Sequence, residues 1–162
     1  MKLICATTNA GKLRELRQVA SGAGIVLEPL DGLWDIPAPV ETGSTFEANA
    51  ILKAEYYSRR AGAEWLIAED SGIEVDALGG KPGVHSARFA GENATDAMNN
   101  ALLRERLGGR TSPARYVCVI ALAQGGEPGA GHSAAGRPDA LHRRCHRRPG
   151  LRQGHQHAGV RR

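Results

Sequence analysis

The chain has 162 residues and a formal net charge of +4, with 41% apolar and 4% aromatic residues. That length suits one domain with a real core, and no run approaches the roughly 18 consecutive apolar residues of a membrane-spanning helix. The charge is uneven: residues 1–127 hold 13 Lys and Arg against 16 Asp and Glu, while residues 128–162 hold 8 Arg against one Asp. A mildly acidic domain, 1–127, is therefore read apart from a basic tail, 128–162.

The apolar run at the N-terminus, Leu3 to Cys5, is too short for the core of a signal peptide. Three sparse cysteines, Cys5, Cys118 and Cys145, argue against a disulfide framework. Together these predict a cytoplasmic protein, with Cys5 and Cys118 as buried free thiols.

In chain order, residues 2–8 read as a strand. A helix from Gly11 to about Ala23 places Leu13, Leu16, Val19 and Ala20 on one face. Ile25 to Leu30 is a second strand, followed by a Pro- and Asp-containing loop, 31–43. Ser44-Thr-Phe-Glu47 reads as a capping box, opening a helix that buries Phe46, Ala50, Ile51, Ala54 and Tyr57 and ends near Gly62. Trp65 to Ala68 is a strand ending in Glu69-Asp70-Ser71-Gly72, and Ile73 to Leu78 is expected to pair with it as a hairpin. After a glycine-punctuated loop, Thr95 caps a helix with Ala97, Ala101, Leu102 and Leu107 inward. Arg115 to Ala123 is a last strand. The alternation predicts an α/β fold, a mainly parallel or mixed central sheet with flanking helices, with a substrate cleft expected beyond the carboxyl ends of its strands.

Three places carry candidate chemistry. Thr7-Thr8-Asn9-Ala10-Gly11-Lys12 follows a strand and opens a helix, where free amides attract anions. Hydroxyls, an amide and an ammonium can contact a phosphate chain, although the same letters make an ordinary polar turn. The Walker A pattern is absent, which excludes the common P-loop reading. On the second helix, Thr45, Asn49 and Lys53 are spaced by four and form a polar stripe. Lys53 is either a phosphate ligand or a snorkelling lysine. Acidic oxygens at Glu69-Asp70, with Glu41 near in space, suit Mg²⁺, which takes one or two carboxylates plus substrate phosphates. Asp-Ser-Gly is also a generic turn.

The segments TTNAGKLREL, ETGSTFEANAILKA, AEDSGIEVDALGGKPGVHSARFAG and ATDAMNNALL resemble, in order and spacing, the inosine/xanthosine triphosphate pyrophosphatase family, over about residues 2–124. The resemblance implies hydrolysis of dITP, ITP and XTP to monophosphate and pyrophosphate, with Mg²⁺ as cofactor and a homodimeric assembly. It implies that Thr7 to Lys12 binds the triphosphate and that Lys53 and Ser71 contact substrate. Glu41 and Asp70 would bind magnesium, with Asp70 also the base that activates water. Two letters depart from the family pattern: Glu69 stands where Asp is frequent, keeping the charge, and Ala48 where Glu is frequent, removing one. Glu47 beside it is given no metal role.

The resemblance also implies a Gly-Phe-Gly-Tyr-Asp-Pro segment and a Ser-His-Arg segment that read the purine, and neither occurs after Gln124. His142-Arg143 follows Leu141, so that role is not carried onto it. The tail has no aromatic residue. A metal cluster of His142, Cys145 and His146 fits no zinc spacing. A nucleic-acid arm would bind only nonspecifically through arginines, without stacking residues. The favoured expectation is an out-of-frame or disordered tail on a domain whose C-terminal lobe is missing. The chain's activity is then expected to be impaired, the alternative being an inactive fragment with a polyanion-binding tail.

Overall fold

The structure, a computed structural model, describes residues 1–62 and 64–125; the expectations for the tail, 128–162, lie outside the described residues. Its elements are β1 (Lys2–Cys5), α1 (Ala10–Ser21), β2 (Val26–Pro29), α2 (Phe46–Ser58), β3 (Trp65–Val75), α3 (Asp96–Leu107) and β4 (Ala114–Gln124), with 3-10 turns at Leu33–Asp35, Asp76–Leu78 and Gly83–Arg88. The sheet order is β2-β1-β3-β4; β1 runs parallel to β2 and β3, and β4 runs antiparallel to β3. This is the mixed α/β sheet with flanking helices that the sequence predicts. No helix among the described residues is long and apolar enough to cross a membrane.

The pleat of the sheet divides the apolar residues between two cores. Ile4 of β1 and Ala6 just beyond it, with Leu66 and Ala68 of β3, pack under Ala50, Ala54 and Tyr57 of α2. Leu3, Cys5 and Ile67, on the alternate positions, pack with Leu27 under Leu13, Leu16 and Ala20 of α1. The two helices therefore cover opposite faces. Burial pushes the Cys5 thiol up to about 11, helped by the Glu69 carboxylate, which keeps it a protonated, inert core residue. Cys118, expected to be buried, is half-buried.

Residues 65–78 do not form a hairpin. β3 is one strand, paired with β4 along its full length from Trp65↔Gln124 to Val75↔Ala114. Ser71-Gly72 has turn composition, but Gly72 serves close approach instead of a turn. A Cβ there would overlap the Ser86 hydroxyl and come within 2.6 Å of the Gly83 carbonyl oxygen. Gly72→Ala is expected to cost about 1–3 kcal/mol, as overpacking does, read as a lower urea midpoint at unchanged slope.

Smaller departures have local causes. The N-cap of α2 is Thr45, whose hydroxyl accepts from the Ala48 N–H at 3.1 Å. With the cap moved one residue on from Ser44, Glu47 no longer falls at the third helical position of a capping box. α2 stops at Ser58, and Gly62 lies in the turn beyond it at φ 61°. Val19 is exposed, and α3 buries no residue: Ala97 and Ala101 are exposed, Leu102 and Leu107 half-buried.

Candidate active site

β1 ends at Cys5, opposite Ile67, whereas β3 continues to Val75. The candidate residues gather where β3 runs on past the carboxyl end of β1, the usual ligand position in such sheets. Because successive side chains of a strand alternate, the consecutive acids Glu69 and Asp70 face opposite ways. Their partners confirm this: Glu69 pairs with Lys12 of α1 and Asp70 with Lys53 of α2.

On the α1 face, the sequence folds into a capped turn. Asn9 is the N-cap of α1, its side-chain oxygen accepting from the Lys12 N–H at 3.1 Å, while the Thr7 hydroxyl accepts from the Asn9 N–H at 3.3 Å. The Asn9 oxygen is thus spent on the helix, which leaves its NH₂ for a ligand. Thr8, Asn9 and Ala10 are exposed and Thr7, Gly11 and Lys12 half-buried. Lys12 Nζ donates to Glu69 Oε1 at 2.6 Å. Burial opposes the Lys12 charge, but the Glu69 carboxylate and the hydrogen bond outweigh it and hold the pKa above the ordinary lysine value. Glu69 is buried, and its Oε2 has no hydrogen-bond partner among the described residues. Ser71 shares this face; its hydroxyl and that of Tyr116 on β4 lie 2.8 Å apart.

On the α2 face, one ammonium joins two carboxylates. Lys53 Nζ donates to Asp70 Oδ1 at 2.7 Å and to Glu41 Oε1 at 3.1 Å. Asp70 is 6% exposed and Asn49 fully buried. Asn49 Nδ2 donates to Asp70 Oδ2 at 3.3 Å, and its Oδ1 accepts from the Gly43 N–H at 2.8 Å. A Cβ at Gly43 would lie 2.5 Å from that same oxygen, so only glycine allows the loop this close. Arg88 Nη1 donates to Glu41 Oε2 at 3.2 Å. Burial raises the Asp70 pKa above the usual carboxylate value, more than the Lys53 hydrogen bond and charge lower it. Burial also works to raise that of Glu41, but Lys53 and Arg88 outweigh it and leave it lowered.

Buried Asp70 and half-buried Glu41, converging on one cationic group, offer hard carboxylate oxygens of the kind magnesium takes, so the residues fit the expected metal. No group of three His, Cys, Asp or Glu assembles among the described residues. Among the described residues, Glu41 and Asp70 are the ones that would hold such an ion.

The structure thus brings Glu41, Lys53 and Asp70 into one ion-paired group and sets Thr7 to Lys12 on the other side of the same strand, with Ser71. Sequence reasoning had the 45-49-53 stripe but not its division of work: Asn49 and Lys53 hold Asp70, while Thr45 caps the helix. It missed Arg88, for which no spacing gave a signal. It also missed the separation of Glu69 from Asp70, which the period of two in a continuous β3 would have given.

The model of the Ham1 family matches residues 3–138. Over 125 residues the chain is 50% identical to a protein of an Exiguobacterium species named dITP/XTP pyrophosphatase, a match covering 76% of this chain and 63% of that one. A Geobacillus kaustophilus protein of the same name is 48% identical over 130 residues, again 63% of its length. The chain therefore spans less than two thirds of these relatives. Among solved structures, the Staphylococcus aureus Ham1 protein superposes with a TM-score of 0.63 at 39% identity, over 76% of this chain and 64% of that one. A HAM1 protein from Coxiella burnetii superposes with a TM-score of 0.67 at 36% identity, over 77% and 64%. A family model that takes in most of the chain and solved relatives that share its sheet and helices lead to one conclusion: this chain belongs to the Ham1 family.

Proposed function

We propose that this domain is the catalytic part of a magnesium-dependent pyrophosphatase that cleaves non-standard purine nucleoside triphosphates, dITP, ITP and XTP, to the monophosphate and pyrophosphate. The observation that carries the reading is the Lys53 bridge between Glu41 and buried Asp70 on one face of β3, with the Thr7–Lys12 turn at its other face, in a chain similar to proteins named for that reaction. Asp70, fixed by Lys53 and Asn49, accepts the proton of a water that attacks the α-phosphorus. The α–β bridging oxygen takes the electron pair as pyrophosphate leaves. Lys12 and the N-terminal amides of α1 bind the phosphate chain, and Ser71 contacts substrate. Glu41 and Asp70 would hold magnesium, which neutralises phosphate oxygens when bound. A cytoplasmic homodimer is part of the same proposal.

The test is to incubate the 162-residue chain and magnesium with dITP, XTP, ATP and GTP and to separate the products. Pyrophosphate and monophosphate, released little above background and with no useful preference for dITP and XTP over ATP and GTP, are expected, because the segments that would read the purine do not occur after Gln124. Orthophosphate with diphosphate would overturn the assigned bond cleavage. Background turnover on all four would favour the inactive-fragment alternative, with the eight arginines of residues 128–162 binding polyanions. Within the reading, Lys12→Ala should weaken binding of a non-hydrolysable triphosphate by about tenfold to a hundredfold, the worth of a charge-assisted contact, measured by calorimetry.

A further inference from the structure

Glu41 reaches the site from an irregular stretch. Among the described residues no backbone-to-backbone hydrogen bond involves residues 37–44. Side chains fasten the stretch instead. Tyr56 Oη donates to the Pro37 carbonyl at 2.9 Å, and Asn49 holds the Gly43 N–H. Glu41 itself is held through both carboxylate oxygens, Oε1 by Lys53 and Oε2 by Arg88.

Arg88 is carried by a support that begins in β3. It ends the 3-10 turn Gly83–Arg88. The Ser86 hydroxyl accepts from the Ile73 N–H at 2.9 Å and donates to the Gly83 carbonyl at 2.6 Å, filling the space that Gly72 leaves without a side chain. From the other side Asn99 of α3 donates to the Ala87 carbonyl at 2.9 Å and accepts from the Ala90 N–H at 2.8 Å. This gives α3 a use despite its exposed surface. The only other carboxylate near Arg88 among the described residues, Glu92, is 88% exposed and 4.0 Å away, too solvated to compete.

We propose that Arg88 is a positioning residue, a guanidinium clipped to β3 through Ser86 that fixes the Glu41 carboxylate so that Oε1 faces Lys53 and Asp70. The proposal rests on the reading of Glu41 as a cation ligand and does not require turnover to test. The experiment titrates Mn²⁺ into the nucleotide-free 162-residue chain by calorimetry and follows, without metal, exchange of the Gly43 N–H, the amide of the 37–44 stretch that the Asn49 side chain protects. Arg88→Ala is expected to weaken Mn²⁺ binding by roughly 10–100-fold, as loss of an outer partner of a metal ligand does, and to speed that exchange. Arg88→Lys should restore part of both, since it returns the charge without the planar fork. Unchanged Mn²⁺ affinity and unchanged exchange in Arg88→Ala would overturn the proposal. If the unsubstituted chain binds no Mn²⁺, the ligand reading fails, and the exchange rate alone then decides whether Arg88 positions Glu41.

Discussion

In the chain restored to the length of its relatives, Asp70→Asn is expected to lower pyrophosphate release from dITP about 100-fold or more relative to the unsubstituted protein, within the range lost with a general base. The substitution keeps volume and removes the charge. It also mismatches the local donors. Asp70 accepts from Lys53 at one oxygen and from Asn49 Nδ2 at the other, so an amide NH₂ at the second position would meet the Asn49 NH₂. Asn49 cannot turn over to relieve this without losing the Gly43 N–H at 2.8 Å. The fold should survive, because a buried carboxylate whose pKa burial raises is itself a cost to folding at neutral pH. A urea midpoint near the original with turnover at least two decades lower is the expected pair of results. Near-normal turnover would remove Asp70 from the chemistry.

Lys53→Met is expected to lower stability by about 3–5 kcal/mol in metal-free protein at pH 7, the usual loss when one partner of a buried ion pair is removed. Lys53 and Asp70 side chains are 16% and 8% exposed, and Glu41 shares the same ammonium. The signs with pH are opposite for the two acids. Glu41, with its pKa lowered, contributes stability that is present above its unfolded pKa and lost as pH falls through the folded one. Asp70, with its pKa raised, favours the fold below its unfolded pKa and loses that contribution as pH rises through the folded one. Without Lys53 both carboxyls are easier to protonate. The gap between Lys53→Met and the unsubstituted protein should therefore narrow from pH 7 towards pH 4. Millimolar Mg²⁺ should also recover part of the loss at pH 7, by replacing the missing positive charge. Denaturation midpoints at both pH values, with and without the ion, check this; a gap that is independent of pH would remove Lys53 from the support of those acids.

What could be read from the sequence was what local rules control. The capped turn at Thr7 to Lys12 depends on neighbours three residues apart and is there in the structure; of the Thr45-Asn49-Lys53 stripe, Asn49 and Lys53 share a face of α2, with Asn49 fully buried, and Thr45 is its N-cap. β3 was misread because Ser71-Gly72 carries a turn signal that only a distant partner, Ser86, converts into a packing contact. Arg88 was invisible for the same reason, since its partner Glu41 lies 47 residues away on a loop without periodicity. α3 was expected to bury an apolar face, yet what it does for the site it does through one amide, Asn99.

The division of labour along β3 also constrains how its length can vary. Glu69 and Asp70 serve different helices only because one sits at an odd and the other at an even step from Leu66, which is anchored at 0% exposure. One residue inserted directly after Leu66 would exchange their faces, turning the shorter acid towards Lys12 and the longer towards Lys53, and would turn Ile67 and Ala68 out of their cores as well. Two inserted residues would restore the parity. Drift in the chemistry at position 69, Glu for Asp, is therefore easily absorbed, whereas drift in length is expected to survive here only in even steps.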